Sequence, residues 1–252
     1  MQSEKSTKKS RRGISSSTLK IIAIITMLID HIGASVLYRY MVVNHVYADY
    51  LLIYQIMRVI GRISFPIFIF LLVEGLYHTR NVWKYLLRLL IFCFVSEIPF
   101  DLAFFYKPFN WDYQNVFFTL LIGLFAIALF RILEENKSDN KWLNNIFILR
   151  TLEVVIALAA MALAHFLKTD YGWAGVLAII TAYILKRFPR LQMPGVCIIL
   201  TICAGASEVY ALFGIPLYIF YDGRRGNLPK WIPYIFYPAH LLILWGITVY
   251  FF

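Results

Sequence analysis

The sequence predicts an all-α bundle of transmembrane helices, and three observations carry that expectation. Of the 252 residues, 61% are hydrophobic and only 15% charged. Soluble domains are nearer half apolar and a quarter charged, and the mean hydropathy here is +0.70. Apolar runs long enough for a ~30 Å hydrocarbon core recur along the chain, about nine in all. Lysines and arginines cluster at alternate junctions between those runs, as topology-setting charge does.

The elements follow in order. Residues 1–18 carry Lys5, Lys8, Lys9, Arg11 and Arg12 and read as a basic, disordered cytoplasmic tail. The apolar run behind them is about twenty residues long and has no small-residue cleavage site, so it is expected to stay as an anchor. Residues 19–252 form the membrane domain, with spans expected at roughly 19–38, 55–77, 84–105, 115–133, 148–167, 172–187, 194–207, 209–221 and 231–251. The seventh and eighth are short. Gly205, Gly214 and Pro216 mark them as a broken or re-entrant pair.

Orientation comes from charge. With the N-terminus cytoplasmic and the spans alternating, 19 of the 24 lysines and arginines fall inside. Arg39, Lys107 and Lys168 fall outside, and Arg58 and Arg62 lie within the second span. The odd span count puts the C-terminus outside. The net charge of +10 is thus accounted for by membrane topology, and no nucleic-acid partner is expected. Cys93, Cys197 and Cys203 lie in apolar runs without ligand spacing and read as packing residues. No soluble domain, internal repeat, phosphate-binding loop or metal-ligand cluster is seen.

Ionisable groups inside spans are costly and point to function. Asp30 and His31 sit deep in the first run. Lys20 precedes His31 by eleven residues, which at about 100° per residue returns to nearly the same helix face. The two lie roughly 16 Å apart along the axis. Arg58 and Arg62 share a face and need anionic partners: Glu74, Glu97, Asp101 or a ligand. Glu97 and Asp101 are again four apart, flanking Pro99. Asn115 and Thr119 open the fourth span, Glu153 lies in the fifth, Asp170 begins the sixth, and Glu208 stands between the seventh and eighth. The loop Tyr221-Asp222-Gly223-Arg224-Arg225-Gly226 lets backbone approach an anion closely. His240 is a second imidazole in an apolar helix; on its own it reads as a packed polar residue. So many intramembrane polar groups imply a polar cavity.

These stretches together resemble the TraX family of conjugal-transfer membrane proteins, whose founding activity is N-terminal acetylation of pilin. The resemblance rests on Ile29-Asp30-His31, Arg58-Val59-Ile60-Gly61-Arg62 with Phe65-Pro66-Ile67-Phe68, Glu74-Gly75 and Ser96-Glu97-Ile98-Pro99-Phe100-Asp101. It continues through Asn115-Val116-Phe117, Asp170-Tyr171-Gly172, Tyr221-Asp222-Gly223-Arg224-Arg225-Gly226 and Phe236-Tyr237-Pro238-Ala239-His240-Leu241. Asp222 stands where the family commonly has Asn. The family is similar to a branch of the integral-membrane acyltransferases, where a basic residue, ten others and a histidine mark the first helix. Lys20 and His31 fit that spacing.

The resemblance implies a multi-pass acetyltransferase of the bacterial cytoplasmic membrane, using acetyl-CoA and no metal. Lys20, Arg224, Arg225 and Lys230 would hold the CoA phosphates on the inner side. His31 would act as general base, or alternatively as a nucleophile forming an acyl-histidine. The catalytic group is expected to comprise His31, Asp30, Glu97 and Asp101. Asp30 points about 100° from His31 on the helix, so Glu74, Glu97 or Asp101 is the expected orienting carboxylate. Arg58, Arg62, Glu74, Asn115, Asp170, Tyr221, Tyr237 and His240 would line the cavity. The acceptor is an amine or hydroxyl of a peptide or an envelope glycan. The competing readings are a transporter or flippase and a non-enzymatic conjugation or secretion assembly factor. Against transport stand the missing repeat symmetry and the missing pair of matched broken helices.

Overall fold

Capping residues in the sequence set where the helices begin. Ser15 accepts from the Thr18 N–H, Asn81 from Lys84, Asn115 from Phe117 and Asn145 from Phe147, each satisfying an orphan donor of a first turn. The computed structural model describes residues 13–137 and 142–252; Lys5, Lys8, Lys9, Arg11, Arg12 and Lys141 lie outside the described residues. It is an all-α bundle. In order come α1 (Ser16–His31), a π-helical segment (Ile32–Leu37), α2 (Tyr38–Val43), α3 (Tyr47–Gly61), α4 (Ser64–His78), α5 (Val82–Phe105) and α6 (Val116–Glu135). Then follow α7 (Ile146–Phe166), α8 (Gly172–Ile184), α9 (Pro189–Cys203), a 3-10 segment (Ala206–Gly214), α10 (Ile215–Ile219) and α11 (Ile232–Phe251).

Five stretches among the described residues are long and apolar enough to cross a membrane: Ser16–Val43, Tyr47–His78, Val116–Glu135, Ile146–Phe166 and Ile232–Phe251. The first two differ from expectation. The helical path of α1 continues to Val43, and α3 begins at Tyr47, well before residue 55. Polar residues between 39 and 54 obscured this: Asn44 Nδ2 closes the helix end on the Tyr40 carbonyl, and His45 makes the turn at φ 57°. The α3–α4 break at Arg62–Ile63 has a local cause. Pro66 has no N–H for the Arg62 carbonyl, so the chain closes instead through Arg62 N–H to Val59 O and Ile63 N–H to Ile60 O. The seventh and eighth expected spans are one broken path, α9 then the 3-10 segment and α10, parted at Gly205 (φ 146°).

Packing places three helix groups around a shared interior. α5 lies between α6 and α11, α8 among α6, α7 and α9, and α1 against α3 and α4, with α11 returning beside α1 and the π segment. Leu19, Ile67, Leu89, Leu124, Ile127, Ile179 and Leu200 are fully buried between them. The outward face of α7 leaves Phe147, Val154, Val155 and Leu158 exposed, as a helix facing hydrocarbon does.

Side-chain contacts gather the charges at two ends. At one end Lys186 pairs with Glu74 (3.1 Å), Arg131 donates to the Leu76 carbonyl (2.8 Å) and Arg150 meets Glu153 and Glu134. At the other, Lys168 pairs with Asp112 (2.6 Å), which holds that exposed carboxyl below its usual range, and Arg39 stacks on Tyr106. The first end also holds the start of the described chain. Ile14 N–H bonds Phe220 O, Ser16 and Ser17 N–H bond the carbonyls of Arg224 and Arg225, and Leu228 N–H bonds Ser17 Oγ. Residues 13–18, read from the sequence as the end of the tail, are therefore built into the bundle.

Candidate active site

The chamber begins with a carboxylate that α1 buries. Asp30 needs cations, and the last turn of α3 with the residue that caps it supplies two. Arg58 Nη1 donates to Asp30 Oδ2 at 2.8 Å, and Arg62 Nη2 donates to Oδ1 at 3.3 Å. Arg62 Nη1 also donates to Glu208 Oε1 at 2.6 Å. Arg62 thus bridges the first helix and the 3-10 segment. The close approach of α3 to α1 requires Gly61, because a Cβ there would overlap the Asp30 carboxyl. Gly61→Ala is expected to cost about 1–3 kcal/mol; thermal unfolding in detergent measures it, and an unchanged midpoint would count against this packing.

The expected carboxylate partners of the arginine pair are engaged elsewhere. Glu74 meets Lys186 and accepts from the Tyr221 hydroxyl (3.4 Å) at the basic end. Glu97 accepts from the side chain and N–H of Asn115, which also donates to the Cys93 carbonyl. Asp101 accepts from the Asn110 N–H at 2.7 Å. These bonds tie α5 to the start of α6, where α11 and not α3 is the neighbour. Nor, among the described residues, does a carboxylate bond to His31. Its Nδ1 lies 2.7 Å from His240 Nε2, and Phe104 and Tyr237 face the ring edge-on. His240 Nδ1 lies 2.8 Å from the Phe236 carbonyl.

Two cavities meet at this point. The chamber, about 430 Å³, has Asp30, His31, Arg58, Arg62, Asp170 and Glu208 as its ionisable lining, with aromatic walls. Asp170 accepts from the Tyr113 hydroxyl (2.8 Å), and Tyr171, at φ 61°, stacks on Phe65 at 3.8 Å. The second cavity, about 300 Å³, opens at the basic end and is lined by Lys20, Arg88, Arg225 and Lys230. Met27, Phe68, Val116 and Tyr237 line both. Lys20, Met27 and His31 lie on one face of α1, so that face runs from the basic cavity to the chamber.

Residues 15–248 match the family described as TraX protein. The chain belongs to the TraX family. It is also similar to a Dichelobacter nodosus protein described as probable fimbrial assembly protein FimC, serogroup H1, at 26% identity over 259 residues, covering 90% of this chain and 92% of that one. No solved structure matches.

In this TraX-family chain the chamber brings together Asp30, His31, Arg58, Arg62, Asp170, Tyr237 and, through His31, His240. The basic cavity brings together Lys20, Glu74, Tyr221, Arg225 and Lys230. Glu97, Asp101 and Asn115 belong to the α5–α6 joint. Arg224 turns away from the cavity: its guanidinium grips Asp222 (2.6 Å) and the Gly13 carbonyl, and that bond together with the Arg224 N–H holds the Asp222 carboxyl below its usual range. Tyr113 and Tyr171 were not among the sequence candidates, and Glu208 was read only as one of the intramembrane acids, without a place in the site. A glutamate three residues past a glycine break in an apolar run was the available signal for Glu208.

Proposed function

We propose that this TraX-family protein is an acetyltransferase of the bacterial cytoplasmic membrane, with its basic end cytoplasmic. It takes acetyl from acetyl-CoA at that end and passes it to an amine or hydroxyl of a peptide or envelope glycan in the chamber. The observation that carries this is the pair of cavities meeting at Met27, Phe68, Val116 and Tyr237, cations at one end and an imidazole at the other. The basic lining suits an anionic co-substrate. Lys20, Arg225 and Lys230 would hold phosphate groups, and Gly223 and Gly226, with φ of 78° and 72°, let the loop backbone come close.

His31 is the proposed base for the acceptor proton. Arg58 gives one nitrogen to Asp30, and its side chain remains 33% exposed. Its other donors are available to an oxygen gaining negative charge as the thioester carbonyl is attacked. The network sets two carboxylates, Asp30 and Glu208, against two guanidiniums, so Arg58 is positioned without an excess of buried positive charge.

Acetyl-CoA binding to the purified protein in detergent tests the donor end. Arg225→Ala/Lys230→Ala is expected to weaken binding about tenfold or more, with the remaining binding less sensitive to salt. Absence of saturable binding by folded wild-type protein would overturn the reading. The similarity to the D. nodosus protein described as a probable fimbrial assembly protein favours one other reading, a non-enzymatic assembly role. That role expects His31→Ala to be tolerated.

A further inference from the structure

We propose that His240 is a positioning residue that fixes which nitrogen of His31 carries the proton, so that His31 presents a lone pair to the chamber. The proposal rests on the reading of His31 as base. A backbone carbonyl starts the chain of consequence. The Phe236 oxygen can only accept, so the His240 nitrogen 2.8 Å from it, Nδ1, carries hydrogen. In a neutral imidazole the other nitrogen then holds a lone pair. That nitrogen, Nε2, lies 2.7 Å from His31 Nδ1, so His31 Nδ1 is the donor. Nε2 of His31 is left with the lone pair. Among the described residues no hydrogen bond occupies it, and the ring lines the chamber.

The ring geometry agrees. The His31 and His240 centroids are 5.0 Å apart with 10° between the planes. With a nitrogen-to-nitrogen distance of 2.7 Å, the rings lie end to end and nearly coplanar, the arrangement of an N–H pointing along a lone pair. Phe236 stacks on His240 at 4.8 Å, and Phe104 meets His31 edge-on at 5.3 Å, so both planes are held. His240 is only 4% exposed and touches no carboxylate, so nothing offsets the cost of burying it as a cation with both nitrogens donating.

The fixed tautomer matters to the transfer step. The acceptor nitrogen or oxygen bonds to the thioester carbonyl carbon as its proton passes to Nε2 of His31. The carbon–sulfur bond breaks, and that proton passes from Nε2 to the departing sulfur, giving the free thiol. Nδ1–H stays donated to His240 throughout, and His31 returns to its starting state. Without His240 the ring is free to carry its proton on Nε2, and no base then faces the chamber.

The test uses the full chain in detergent with ¹⁵N-labelled histidine, the His31 signals being assigned by their loss in His31→Gln. The wild type is expected to show His31 protonated on Nδ1, and His240→Phe to move that proton to Nε2. In acetyl transfer, His240→Phe is expected to lower kcat about 100-fold with KM for acetyl-CoA unchanged. His240→Gln, whose carboxamide oxygen can accept from Nδ1–H, should regain roughly tenfold of that loss. Wild-type His31 protonated on Nε2, or a tautomer unchanged in folded His240→Phe, would overturn the proposal. If the wild type transfers no acetyl group, the enzymatic reading falls, while the nitrogen signals still decide the tautomer.

Discussion

Replacing Arg62 with Met is expected to destabilise the bundle by about 3–5 kcal/mol, the usual cost of removing one partner from a buried ion network. Met keeps the apolar stem and its packing, so the loss reports the guanidinium. Among the described residues Glu208 is then left without an ion-pair partner, and Asp30 keeps Arg58 alone. The expected drop in unfolding midpoint is about 10 °C, read by thermal unfolding in detergent. Adding Glu208→Gln should restore a large part of it, because the uncompensated charge is removed as well. A single variant within about 1 kcal/mol of the wild type would mean that water already screens the network. The ion pairs would then not be what joins α1, α3 and the 3-10 segment.

Replacing His31 with Gln is expected to lower acetyl transfer by two to four orders of magnitude, the range of a lost general base. The protein should remain folded, because Gln still offers a hydrogen-bonding group to His240 and the surrounding rings are apolar. Acetyl-CoA binding should survive, since the cations of the basic cavity lie about two to three helical turns away along α1. Transfer rate, unfolding midpoint and binding on one preparation separate the outcomes. Retained transfer in the folded variant would end the role of His31 as base and favour the assembly reading.

The helical architecture was legible because apolar run length and alternating charge are properties of single segments. The helix face joining Lys20 to His31 was legible for the same reason: both sit on one helix, and the spacing is arithmetic. Partners were not. Arg58 and Arg62 announced a need for acids, but seven stand in or beside the apolar runs, and the ones expected were Glu74, Glu97 and Asp101. The partners taken up are Asp30, 28 residues before Arg58, and Glu208, 146 residues after Arg62. Glu97 and Asp101, four apart on one helix face, were expected as members of the catalytic group; each gives one carboxylate oxygen to the segment that leads into α6. Arg224 and Arg225 look equivalent in sequence. Asp222 binds the first and leaves the second to the cavity.

The contact between His31 and His240 also has a schedule. The two imidazoles are 209 residues apart, so at about 5–20 residues per second a ribosome needs roughly 10–40 s to deliver the second after the first. Arg58 emerges soon after Asp30, Glu208 much later, and α11 after both. The buried carboxylates can therefore be neutralised by their own chain before the imidazole pair is complete. A nascent protein held in the bilayer without α11 would contain its ion network and all four cations of its basic rim, yet not His240. On the proposed mechanism the base is oriented only when α11 arrives, after the loop that clasps the start of α1 has been made.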